Sequence, residues 1–465
     1  MDCGSPQKGE TYVMKKQTQL FAVMSAAAFM TVIPAITGHV QTAYAANNGW
    51  TEENGITVFY DEDGDLVTDS WKKEGDSWYY LNEDGHVSLN QKIDDYYVGE
   101  DGKMVKNRWI ELANVEDMDS PEAPASFWYY FDEDGKALTS NWLKQDGKWY
   151  YFDESSHMTT GKVTIDGATY YMGAENDGTM KTGWIKLEEN ASNPDATEGW
   201  YYFNPNGKMV ETQYDKKIDG EYYTFIDGKM QTGWVEMPKE TEGTALAASS
   251  DSNAAAVSVA DYQYYGASSD GKRANGWHTI EGIAGLHNMD ETYTFFFKNG
   301  KAYHSSIDGN ELFTVNGKKY AFSELGEMQT GRQIVNIGDG EIANFFFGDD
   351  GIMKTGKQSI YNEATGETES WFFHNEGEKR GQGYHGIREN TLYVYGKRQE
   401  ATSDQKYAPA VLNDTTYLVN TSGSIQKAAS SSTSATMPDL GRGYKDYKDA
   451  NGKIWVVDIN GIVKN

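Results

Sequence analysis

One unit recurs along this chain, and its recurrence constrains the fold more than any other feature. From Trp142 the sequence runs to an aromatic triplet (Trp149, Tyr150, Tyr151), a polar turn, Met158 and Gly161. It then repeats the theme with Val163 and Ile165, the turn Asp166-Gly167, the pair Tyr170-Tyr171, Met180 and Gly183-Trp184. Each unit holds two short runs of strand formers separated by Asp-Gly or Asn-Gly, which signals a hairpin. Asp or Asn followed by Gly supplies the residues that accept a positive φ in such a turn. Repeats of this size contact mainly their neighbours, so the expected fold is all-β: a solenoid of stacked β-hairpin repeats.

Composition supports that reading. Only 38% of the 465 residues are hydrophobic, too few for a large conventional core, yet 14% are aromatic, with 32 Tyr and 13 Trp. Each large ring buries roughly 150–250 Å², so ring stacking can replace an aliphatic core. The formal net charge of -29 argues against nucleic acid and anionic membrane surfaces as partners and suits cationic ligands. It also keeps an aromatic-rich surface soluble. The one cysteine, Cys3, rules out disulfides and Cys-ligated zinc.

The first residues read as a targeting segment. Met14-Lys15-Lys16 begins a basic stretch, Leu20 to Ile36 is apolar, and Ala43-Tyr44-Ala45 is a small-x-small cleavage signal. The expected organisation is an extra leader or misassigned start over 1–13 and a secretory signal peptide over 14–45. Well-formed repeats occupy 46–235, a flexible insert 236–262, degenerate repeats 263–402, and divergent repeats or a cap 403–465. No later stretch is long and apolar enough to span a bilayer, so no integral membrane segment is expected in the mature chain.

The aromatic runs are Trp78-Tyr79-Tyr80, Tyr96-Tyr97, Trp128-Tyr129-Tyr130-Phe131, Trp149 to Phe152, Trp200-Tyr201-Tyr202-Phe203 and Tyr222-Tyr223. Along a strand, rings two apart share a face, so one set packs into the stack and the other lines a groove. Inserts at 111–126, 188–199 and 236–262 all fall between a leading Trp and its aromatic run, which marks a solvent-facing hairpin tip. The leading Trp is missing in some units, with Gln91, Lys162 and Gln213 expected in its place. Beyond Trp277 the pattern weakens, and Arg332 and Lys357 take the leading position.

The string Gly-Trp, spacer, Trp-Tyr-Tyr-Phe, Asp-x-Asp-Gly, Met-x-Thr-Gly-Trp resembles the choline-binding or cell-wall-binding repeat of Gram-positive surface proteins. It is related to repeats of glucan-binding proteins and of clostridial toxin C-termini. The resemblance covers roughly 49–402 and is clearest over 71–234. It implies a superhelical solenoid with no globular catalytic domain and with ligand sites between consecutive hairpins. There, two Trp of one repeat combine with an aromatic of the next, and a Met helps close the cage. Carried onto this sequence, the cages are Trp71, Trp78 and Tyr97; Trp109 and Trp128 with Tyr151; Trp142, Trp149 and Tyr171 with Met158; and Trp184, Trp200 and Tyr223 with Met209.

The implied partners are choline groups of cell-wall teichoic acid or a glucan-type polysaccharide, held by a secreted protein associated non-covalently with the wall. The same rings could instead only staple the solenoid. In a second reading the repeats are a spacer of a structural or adhesive protein, and the acidic inserts bind a protein partner. No catalytic residues, metal ligands or cofactor are expected. The eight His are dispersed, and no His-Glu-x-x-His, nucleophile elbow or P-loop occurs. Asp61 to Asp65 fails as a calcium loop, because Lys72 stands where the twelfth-position Glu belongs.

Overall fold

The structure, a computed structural model, describes residues 48–115, 123–188, 198–239 and 258–465. The expected leader and signal peptide fall outside the described residues, as do 116–122, 189–197 and 240–257 within the three inserts. Among the described residues no helix is long and apolar enough to cross a membrane. Two compact units are formed, one by residues up to Asn107 with Glu133–Lys136, the other by Arg108–Asp132 and Ala137–Asn465.

Within each unit the chain is a solenoid of stacked antiparallel hairpins. The described residues contain strands, turns and two single-turn 3-10 segments, Val259–Asp261 and Pro438–Leu440. In the first unit the hairpins are Gly49–Glu53 with Ile56–Tyr60, Ser70–Glu74 with Ser77–Leu81, and Gln91–Ile93 with Tyr96–Val98. The second unit continues with Arg108–Ala113 and Ser126–Phe131, Asn141–Gln145 and Lys148–Phe152, Lys162–Ile165 and Ala168–Tyr171, and Gly183–Leu187 and Gly199–Phe203. The turn Asp166-Gly167 has φ of 50° and 73°, so the sequence supplies left-handed residues where the hairpin needs them.

The last residue of each aromatic run is the core residue. Leu81, Val98, Phe131, Phe152, Met172, Phe203 and Phe225 are 0% exposed. The chain then turns, and the residue after the turn does two jobs. Met158 bridges Phe152 of its own hairpin and donates its backbone N–H to the Trp128 carbonyl of the preceding one at 2.8 Å. Met209 does the same with Phe203 and the Thr169 carbonyl, also at 2.8 Å. Within a unit, backbone hydrogen bonds of this kind tie a hairpin to the one before it and fix the stacking register.

Insertions leave this plan intact. Gly233–Glu236 pairs with Tyr262–Tyr265 across residues 240–257, with Trp234 opposite Tyr264. Farther on, Asn310–Val315 runs parallel to Gly331–Gly338 in a four-stranded sheet, a departure from the simple hairpin. The last hairpins are Tyr407–Leu412 with Thr415–Asn420 and Lys445–Lys448 with Ile454–Val457. Leu418, Trp455 and Val457 form their core.

Candidate aromatic cages

The geometry is clearest around Trp142. It lies opposite Tyr151 across its hairpin, and Trp149 is one diagonal step away on the same face. The two indoles meet nearly at right angles, with centroids 6.2 Å apart and planes at 87°. The next hairpin adds Tyr170, whose ring centre is 5.1 Å from that of Trp142. Met180 completes the corner, held by its backbone N–H on the Trp149 carbonyl at 2.8 Å. These four side chains line an open cleft of ≈ 930 Å³, with Lys148, Lys181 and Asn206 also in its lining.

The same constellation recurs. Trp71, Trp78, Tyr96 and Met104 line a cleft of ≈ 310 Å³ that also includes Asp134. Trp184, Trp200, Tyr223 and Met230 line one of ≈ 330 Å³ that also includes Asp270 and Lys272. Trp109 and Trp128 lie 6.4 Å apart at 73°, with Tyr150 5.0 Å from Trp109. The Met158 backbone sits on Trp128 as Met180 sits on Trp149, and the Trp109 indole N–H donates to Gln145 Oε1 at 2.6 Å.

A glycine of the following turn covers each methionine. A Cβ on Gly135 would lie 2.8 Å from Met104, and one on Gly207 would lie 2.2 Å from Met180 Sδ. Both glycines have positive φ, 83° and 82°, so turn geometry and methionine packing require the same residue.

Burial and nearby charge both act on Tyr150 and Tyr223. Burial, then Asp177 and Asp146, hold the Tyr150 phenol above its usual value. Tyr223 is raised chiefly by burial, with Lys272 opposing. Burial alone would raise Asp177, but hydrogen bonds from Lys181 and Thr179 overcome it and keep the carboxyl below the usual range. Among the described residues, no cluster of three His, Cys, Asp or Glu could hold a metal.

Several residues expected from sequence are placed differently. The third ring is Tyr96, Tyr150 and Tyr170 where Tyr97, Tyr151 and Tyr171 were expected. Tyr97 is 8% exposed. Tyr151 packs on Trp142 within its own hairpin at 5.1 Å. Tyr171 packs on Phe203 at 6.1 Å. The reason is strand parity: the ring two residues before the buried end residue faces the previous hairpin, and its neighbour faces away from that corner, onto its own hairpin for Tyr151 and onto the next for Tyr171. Tyr223 follows this rule, being two before Phe225.

The methionines shift for a related reason. Met158 serves the Trp128 junction and Met209 packs with Tyr201 and Phe203, whereas Met180 and Met230 line the clefts for which those two were named. Gln91 lies opposite Val98 and Gln213 opposite Phe225, both one step before the leading position, which holds Lys92 and Tyr214. Lys162, opposite Tyr171, does hold that position.

Sequence reasoning also missed weaker versions of the corner. Trp277 meets Tyr320 at 4.7 Å, with Met328 donating to the Thr294 carbonyl at 2.9 Å. Trp50 meets Tyr79 at 5.3 Å, with Val87 on Thr57. In each, a threonine stands where the second Trp would be. Trp234 meets Phe295 at 5.1 Å, but its surroundings are filled by Val259, Ile280 and Leu286.

Tyr96 and Tyr97 separate the two faces experimentally. Tyr96→Leu is expected to weaken ligand binding at Trp71 and Trp78 about tenfold with little change in melting temperature. Tyr97→Leu is expected to lower stability by about 1–2 kcal/mol and leave affinity nearly unchanged. Thermal unfolding beside ligand titration checks both.

Comparison with known proteins follows the same residues. Segments 125–157 and 138–184 match a choline-binding repeat, 65–103 match a second choline-binding repeat model, and 198–209 match a cell wall binding repeat. Glucosyltransferase-S of Streptococcus mutans serotype c is 28% identical over 218 residues, 42% of this chain and 14% of that protein. CbpJ from Streptococcus pneumoniae is similar over 66% of this chain and 99% of its own, at 18% identity and a TM-score of 0.38. The modular autolysin LytC from Streptococcus pneumoniae, solved with a synthetic peptidoglycan ligand, aligns over 66% of this chain and 52% of its own, at 18% identity and a TM-score of 0.34. The chain thus spans only a small part of the glucosyltransferase and about half of the autolysin. The matched segments carry choline-binding and cell-wall-binding repeats and contain seven of the eight Trp of the four cages, all but Trp109.

Proposed function

We propose that this is a secreted, non-enzymatic wall-binding protein whose cages hold quaternary ammonium groups of the choline type. The observation that carries this reading is the corner of two near-perpendicular indoles, a tyrosine and a methionine around Trp142 and Trp149. A trimethylammonium group has no N–H to donate, so ring faces recognise it, each contributing about 0.5–2 kcal/mol. Three faces give a single-site dissociation constant of order millimolar. Several such sites along one chain raise the affinity for a polymer that displays many copies. Asp134 at the Trp71 cleft suits a cation, whereas Asp270 at the Trp184 cleft is paired with Lys272 at 3.4 Å. Non-covalent attachment to the wall follows from multivalent binding alone.

A glycan is the second reading, and the Trp142 cleft favours it. Its lining includes Lys148, Lys181 and Asn206 where the others carry an aspartate, and these groups suit hydroxyls better than a cation. The glucosyltransferase likeness is consistent with a sugar ligand. Titration with choline chloride and with an α-glucan, followed by Trp fluorescence, separates the two. The choline reading expects saturable quenching at millimolar choline and none with glucan. Silence toward both, together with failure to sediment with cell walls, would overturn wall binding altogether.

A further inference from the structure

The junction between the hairpins Gln213–Ile218/Glu221–Ile226 and Gly233–Glu236/Tyr262–Tyr265 has the frame of a cage but a different floor. Tyr222 stands three residues before buried Phe225, as Trp149 stands three before Phe152. In the cages a methionine donates its backbone N–H to the second Trp carbonyl. Here Arg273 donates to the Tyr222 carbonyl at 2.8 Å. Its side chain folds back over the ring, with the guanidinium carbon 4.1 Å from the Tyr222 centroid. Arg273 Nη1 meets Asp215 Oδ1 at 2.8 Å, and the side chain is only 14% exposed. The buried Arg273 Nε makes no hydrogen bond.

The rest of the slot is built to hold that cation. Asp215 lies on a register shift between Gln213 and Lys216, with φ of 51°. Its backbone N–H donates to Thr224 Oγ1 at 3.1 Å, and its carboxylate also accepts from the Tyr265 hydroxyl at 2.8 Å. An aromatic face and a fixed carboxylate are what a cation needs in a site partly shielded from water. A second junction shows a related substitution. Arg332 holds a leading position, opposite Phe346, and its guanidinium lies 5.2 Å from the ring of Trp371. Trp371 is two residues before buried Phe373, the place of the third cage ring.

We propose that Arg273 is a resident ligand: its guanidinium occupies the cation slot of Tyr222 and Asp215 and closes this junction to quaternary ammonium groups. The array is thereby divided by its own side chains into junctions that take a ligand and junctions that carry one. The contrast with open cages rests on the choline reading, but the slot itself does not. Removing the guanidinium takes away the cation that bridges the carboxylate and the ring, while Lys217 Nζ, 5.6 Å from the Tyr222 centroid, stays in place.

The test uses the full chain with fluorotyrosine incorporated and Tyr222 assigned by the Tyr222→Phe variant. Choline chloride and tetramethylammonium chloride are titrated into wild type, Arg273→Met and Arg273→Lys. In wild type and Arg273→Lys the Tyr222 resonance is expected to stay put at concentrations that saturate Trp149. In Arg273→Met it shifts saturably with either salt, adding one site. A wild-type Tyr222 that titrates with Trp149, or a folded Arg273→Met in which neither salt moves Tyr222, overturns the proposal. If Arg273→Met does not fold, Arg273→Gln takes its place with the same two outcomes. If Arg273→Met gains the site while no Trp cage of wild type responds, the resident cation stands and the choline reading of the cages falls.

Discussion

Phe203→Ala is expected to destabilise the hairpin stack by about 3–5 kcal/mol, the range for deleting a fully buried aromatic side chain. Phe203 is 0% exposed and packs with Leu187, Tyr201 and Met209 from three successive segments of chain. The cavity cannot collapse freely, because backbone hydrogen bonds hold the hairpins in register: Met209 to the Thr169 carbonyl at 2.8 Å, and Val210 to the Tyr202 carbonyl at 2.8 Å. Solenoid stability is a sum of nearest-neighbour terms, so the loss should be local. Hydrogen exchange is expected to show the amides around 169–210 losing protection while those of 407–420 keep theirs. Uniform loss over both regions would mean that the hairpins unfold as one cooperative block.

The second large effect concerns binding. Trp142→Ala with Trp149→Ala removes two walls of one corner. At roughly 0.5–2 kcal/mol per ring face, affinity at that site falls about 5- to 1000-fold, a large loss for a millimolar ligand. Trp149 is 38% exposed and Trp142 meets Tyr170, so the double variant opens the surface without touching the fully buried Phe152. Isothermal titration with choline should report one site fewer and unchanged affinity at the rest. Retention of sedimentation on whole walls would then reflect the remaining cages acting together.

The fold was legible because the repeat is written in residues with strong local preferences. Asp-Gly and Asn-Gly turns fix hairpins, and a period that no single hairpin can bury fixes stacking. The Trp members of the cages were legible for the same reason. Their third ring was not, because adjacent tyrosines in Tyr96-Tyr97 or Tyr170-Tyr171 differ only in which face they present. That choice is set by the hairpin register, with Gln91 opposite Val98 and Lys162 opposite Tyr171. A usable signal was present: counting two back from the apolar residue that ends the run (Val98, Phe152, Met172, Phe225) finds the ring every time. The methionine was misassigned because its partner lies one hairpin back, a contact made by the backbone and invisible to side-chain pattern. Arg273 gave no sequence warning, since its slot depends on the register shift that aims Asp215.

The central claim is that the paired indoles and the ring of the next hairpin make the ligand sites. Recording the indole N–H resonances of Trp71, Trp78, Trp109, Trp128, Trp142, Trp149, Trp184 and Trp200 during a choline titration tests it most directly, with Trp371 and Trp455 as internal controls. The cages predict saturable shifts of these pairs together, and no shift at Trp455, which is 8% exposed in the terminal core, or at Trp371, which Arg332 faces. Shifts confined to Trp371 and Trp455, or no saturable shift at any pair, would contradict the account.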